Sequence, residues 1–188
     1  MQPDPFYKTM EMGQVKSIHQ DWLNLSPKDA FSNSNQKITE AWVTMKMCEA
    51  LRIAPMFTFP TEEPADILLK YEDKEFKVQV TECREEEARI TVRDALLGEV
   101  FGERNLTPFL LKTINKKEKK KYSNASELIL LIYLNIKLAD LASGLDYVRH
   151  DELEECCRKS QFLEVVVYHC GKLFFLKKSK LYEIYEKI

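Results

Sequence analysis

From Glu127 to Ile136 the chain is an almost unbroken apolar run, with Leu128-Ile129-Leu130-Leu131-Ile132-Tyr133-Leu134 at its centre. A strand with one wet face alternates polar and apolar residues, so a run without alternation needs cover on both faces. It is far shorter than the roughly 20 apolar residues that span a bilayer. The rest of the chain must therefore supply layers on either side of it. A chain of 188 residues is long enough to do so, burying on the order of 70% of its unfolded surface without a disulfide or metal staple.

Helical and strand periods are found on both sides of this run. Phe6, Met10, Val15, Ile18 and Leu23 suit an amphipathic N-terminal helix, and Ser26-Pro27 and Ser32 to Asn35 mark a loop after it. From Gln36 to Ile53, Ile38, Ala41, Trp42, Met45, Cys48 and Leu51 recur at helical spacing, and Pro55 ends the pattern. A short strand at Met56 to Phe59 precedes two more at 66–71 and 75–82, joined by Glu72-Asp73-Lys74 as a hairpin. A charged helix is expected over 84–101, and a second from Thr107-Pro108, an N-cap followed by proline, to about Lys121. Asp151 to Lys159 reads as a helix, Leu163 to His169 and Lys172 to Leu176 as strands, and a short helix closes the chain. Helices interleaved with strands predict an α/β fold with a mixed central sheet flanked by helices. Residues 1–35 are read as an N-terminal helical extension and 36–188 as the α/β domain.

The strand Glu75 to Glu82 carries Phe76, Val78 and Val80 on one face and Lys77, Gln79 and Thr81 on the other. Upstream, Pro64-Ala65-Asp66 opens the run Ile67-Leu68-Leu69. A carboxylate at the start of one strand and an amide on its neighbour can supply oxygen ligands to a hard cation such as Mg²⁺ or Mn²⁺, which takes one or two carboxylates plus waters and phosphate. A lysine two positions away on the same face lies roughly 7 Å off and can offset phosphate charge. The same residues also suit an ordinary half-exposed hairpin, with Asp66 capping a loop and Lys77 solvated.

These pieces resemble the PD-(D/E)XK, or restriction-endonuclease-like, nuclease superfamily. Pro64-Ala65-Asp66 matches the aspartate motif, strand 76–82 the E-x-K motif, and the helix bearing Glu40 the first helix, which often adds a carboxylate. The likeness covers residues 36–135 and extends toward 176. It implies a Mg²⁺- or Mn²⁺-dependent phosphodiesterase acting on DNA, with RNA as the alternative. Asp66 and Gln79 would bind metal, Glu40 or Glu82 would add a carboxylate, and Lys77 would stabilise the transition state. Two positions depart from the pattern: Gln79 stands where glutamate is usual, and Thr81 where lysine is. The superfamily's lysine is known to move, so Lys77, or Lys112 or Lys116 from the next helix, can replace it. If none does, the implied alternative is a catalytically inactive scaffold that binds nucleic acid or a protein. Strict alternation sets Glu82 with Val78 and Val80 unless the strand bulges. Glu40 lies on the line of Thr44, Met47 and Leu51, at the flank of the apolar stripe, where it either faces water or reaches a site beneath the helix.

The formal net charge of −2 sets up no global field toward nucleic acid or membrane, so any such attraction must be local. The concentrated positive patch is Lys112, Lys116, Lys119 and Lys120, widened by Lys117 and Lys121, opposite Leu110 and Ile114. It reads either as a phosphate-tracking surface, with Lys112, Lys116 and Lys120 as contacts, or as a solvated helix face. Five scattered cysteines, one pair adjacent and none spaced as C-x-x-C, read as reduced thiols of a cytoplasmic protein. No basic-then-apolar leader opens the chain, and no Gly-rich phosphate loop is present. Nucleases of this kind are often dimers or parts of larger complexes, which is the partner expectation here.

Overall fold

The computed structural model describes residues 9–23, 33–61, 64–84, 107–135, 150–169 and 171–187. The apolar run forms β4 (Leu128–Asn135), and it lies inside a single six-stranded sheet of order β1-β2-β3-β4-β5-β6. β1 (Met56–Thr58), β2 (Ile67–Tyr71) and β3 (Lys74–Arg84) form an antiparallel meander. β3, β4 and β5 (Glu164–His169) are parallel, and β6 (Lys172–Lys177) returns antiparallel along β5. The sheet is thus mixed and flanked by helices, as the interleaved periods predict.

Each parallel step needs a crossover. α3 (Thr107–Glu118) lies between β3 and β4, and α4 (His150–Arg158) between β4 and β5. Two crossovers of one hand stepping the same way along a sheet fall on the same face. Leu110 and Ile114 of α3 and Leu153 and Cys157 of α4 accordingly share one core with Leu128, Leu130 and Ile132 of β4. The intervening residues Ile129 and Leu131 face a second core, made with Val78, Val80 and the helix α2 (Asn33–Ala50). α1 (Met12–Leu23) contributes Val15 to this layer and α5 (Lys180–Tyr185) contributes Leu181. Two cores, one per face, explain why β4 has no polar alternation.

Local sequence sets several boundaries. Arg52 ends α2 at φ 53°, with Arg52 N–H donating to Glu49 O at 3.0 Å and Ile53 N–H to Cys48 O at 3.0 Å. This is a Schellman end with arginine where glycine is usual. Gly171 takes φ 81° in the two-residue turn between His169 and Lys172. The N-terminal period differs from expectation at Met10. Met10 lies before α1 and pairs with Phe57 through two backbone bonds of 2.7 Å, which satisfy the outer edge of β1. Phe6 and the helix expected over 84–101 lie outside the described residues, except Arg84, which ends β3.

Candidate functional site

The site is built where β2 begins. Asp66 N–H donates to Val78 O at 2.9 Å, tying the residue to β3. Its carboxylate Oδ2 accepts the Val80 N–H at 2.8 Å and a second hydrogen bond from Gln79 Nε2. The two neighbouring strands therefore set the acid and the amide side by side, joined by a hydrogen bond. Because an ionised carboxylate only accepts, the amide must present its nitrogen to Asp66. Gln79 Oε1 is then the end of the amide that is not bonded to Asp66 Oδ2. Gln79 is 7% exposed overall.

Charge reaches this point from both layers. Glu40, on α2, is 8% exposed and lies on the buried line of Thr44, Met47 and Leu51. Gln36 Nε2 donates to Glu40 Oε1 at 2.7 Å, and Thr44 Oγ1 donates to the Glu40 carbonyl at 2.8 Å. Burial, then the neighbouring Asp66 charge, push the Glu40 carboxyl up to about 7, against the opposing pull of Gln36, Lys117 and Lys37. Lys117 comes from α3. Burial lowers its ammonium below the ordinary lysine range, and Lys120 and Lys116 push the same way, while Asp66 and Glu40 oppose. Two acid groups and one ammonium thus act on this point, with Glu40 holding its proton up to about 7.

Of the lysines weighed for the vacant motif position, the structure brings none of the expected ones to Asp66. Lys77 shares the Gln79 face, but its Nζ is paired with Glu127 Oε2 at 2.6 Å, and that pairing raises its affinity for protons. Lys112 and Lys116 are exposed on α3. Lys117 is half-buried because it follows Leu110 by seven residues and Ile114 by three, which is the buried line of α3. That spacing was the available signal; the lysine run masked it. Lys116 and Lys120 surround Lys117 closely enough to affect its titration, so the basic patch adjoins the Asp66 site. Glu82 does not join it. β3 runs in unbroken register with β4 to Arg84, so Glu82 stays with Val78 and Val80 on the opposite face. Thr81 faces the Gln79 side and is half-buried.

Among the described residues, no group of three or more histidine, cysteine, aspartate or glutamate side chains gathers to hold a metal. A Zn²⁺ centre or an all-carboxylate Ca²⁺ cage thus finds no donor set there. Glu40, Asp66 and Gln79 carry oxygen atoms of the kind a hard cation such as Mg²⁺ takes as ligands. The remaining candidates are structural. His19 stacks on Trp42 with ring centroids 3.7 Å apart, and His169 is buried at the end of β5. Cys48, Cys156 and Cys157 are free thiols, and burial holds Cys157 up to about 12, far from a reactive thiolate. Among the described residues, no helix is long and apolar enough to cross a membrane.

No protein-family model, curated protein or solved structure matches this chain.

Proposed function

We propose that the chain is a metal-dependent phosphodiesterase of PD-(D/E)XK type that cleaves DNA, with Lys117 in the role of the displaced motif lysine. The observation that carries this reading is the Asp66–Gln79 hydrogen bond at the start of β2, with the Glu40 and Lys117 charges within electrostatic reach of Asp66. Element order supports it: a carboxylate-bearing helix, three antiparallel strands, a helix, then a parallel strand beside the third. Glu40, Asp66 and Gln79 would hold Mg²⁺ or Mn²⁺. When bound, the cation lowers the proton affinity of water and neutralises charge on the scissile phosphate. Lys117 stabilises the negative charge that builds on the phosphate oxygens as water attacks phosphorus and the P–O bond breaks. Lys112, Lys116 and Lys120 would hold the backbone on either side.

Thr81, in the usual lysine position, favours a second reading, a scaffold that binds nucleic acid or a protein without cutting. One experiment separates the two. Plasmid, linear DNA and RNA are incubated with the protein and Mg²⁺ or Mn²⁺, alongside Asp66→Ala. DNA cleavage lost in Asp66→Ala supports the enzyme. Intact DNA, together with no metal binding in calorimetry, rejects it and leaves the scaffold.

A further inference from the structure

Lys117 is the penultimate residue of α3, within the last turn, where helix carbonyls lack intrahelical partners. Past Ile114 that turn buries no apolar side chain; beyond it Tyr122 packs on Phe162 with ring centroids 5.6 Å apart. The segment between α4 and β5 also holds it through hydrogen bonds. Gln161 Nε2 donates to the carbonyls of Lys117 at 3.4 Å, Glu118 at 3.0 Å and Lys120 at 3.0 Å. Its backbone N–H donates to Glu118 Oε2 at 3.2 Å, and Ser160 Oγ donates to Glu118 Oε1. This clasp is itself anchored. Ser160 N–H donates to Cys157 O at 2.9 Å and Leu163 N–H to Leu128 O at 2.9 Å. Lys177 Nζ on β6 donates to Ser160 O at 2.7 Å and also to Phe162 O.

We infer that Gln161 is a positioning residue: its side-chain amide ties the end of α3 to the sheet and so holds Lys117 against Asp66 and Glu40. The clasp links β4, β5 and β6 to a side chain that acts at β2 and β3. Its kinetic consequence rests on the nuclease reading; the clasp does not. Breaking it frays one turn of α3 rather than the domain, because Thr107, Leu110 and Ile114 stay buried.

Gln161→Met keeps the length of the side chain and removes its donors. Pulse acylation of lysines, read by mass spectrometry, reports the clasp without reference to activity. In the unmodified protein Lys117 is expected to react at least about 3-fold more slowly than Lys116, and in Gln161→Met that gap closes while Lys46 is unchanged. In DNA cleavage, kcat is expected to fall about 10-fold or more, with KM and calorimetric Mg²⁺ affinity unchanged. An unaltered Lys117 rate in Gln161→Met overturns the inference, as does an equal rise at every lysine, which marks general unfolding. A protein that cleaves nothing sinks the nuclease reading and leaves acylation to decide the clasp. Should Gln161→Met not fold, Ser160→Ala, which removes the bond to Glu118 and the acceptor of the Phe162 N–H, is read by the same two measurements.

Discussion

Glu40→Gln isolates the electrostatic cost of the site. The substitution preserves side-chain size, the acceptor used by Gln36 and the carbonyl used by Thr44. It removes only the titration. Raising the carboxyl from 4.5 to about 7, at about 1.4 kcal/mol for each tenfold change in proton affinity, makes the ionised form costly by about 3 kcal/mol. The folded protein keeps the proton up to about 7, whereas the unfolded chain releases it near 4.5. The unfolded state therefore binds fewer protons between those values, so this group's contribution to stability falls as pH rises through the window and is level above it. Urea unfolding in chelator is the assay. Glu40→Gln should be more stable than the native protein by about 3 kcal/mol near pH 8 and by almost nothing near pH 4. Adding Mg²⁺ at the higher pH should narrow the gap, since an approximately 100-fold excess over Kd stabilises the ligand-bearing form by about 2.7 kcal/mol. Equal effects at both pH values, or a loss of stability at the higher one, refute a desolvated, proton-holding Glu40.

Four further outcomes are expected. Lys117→Met should lower kcat for DNA cleavage by about 10²-fold while leaving filter-binding affinity nearly unchanged, because its charge acts in the transition state. Replacing Lys112, Lys116 and Lys120 together by glutamine should flatten the plot of log affinity against log salt by about 2–3, which is read by titrating a labelled duplex at several NaCl concentrations. Glu164, fully buried, accepts the backbone N–H groups of Ser179, Leu181 and Tyr182 at 3.1, 3.0 and 2.8 Å at the start of α5. Glu164→Ala should therefore cost about 2–4 kcal/mol in chemical denaturation. Arg52→Gly, which relieves a left-handed residue at the end of α2, should stabilise the fold by about 0.5–1 kcal/mol in the same assay.

Legibility differed from residue to residue. The hairpin between β2 and β3 was readable from Glu72-Asp73 between apolar runs, and its register carries Asp66 beside Gln79. Glu40 was open between water and an interior site, because a flank position on one helix does not reveal what covers it. The overlying sheet and Asp66 make it a buried, proton-holding acid. Lys77 had the right face and spacing, yet Glu127, fifty residues on, takes its ammonium. That partner comes from the turn before β4, out of reach of any local pattern.

The amino-acid order alone determined that β4 lies between two layers, since seven consecutive apolar side chains alternate to both faces and each face must be covered. It also determined which face of β3 is polar, since the side-chain period in a strand is two. Tertiary structure decided which charges meet. α2 and α3 occupy opposite faces of one sheet, and only their packing on β3 brings Glu40 and Lys117 into each other's field around Asp66. A charge's reach is set by distance and burial in space, and neither is written in the spacing along a single helix.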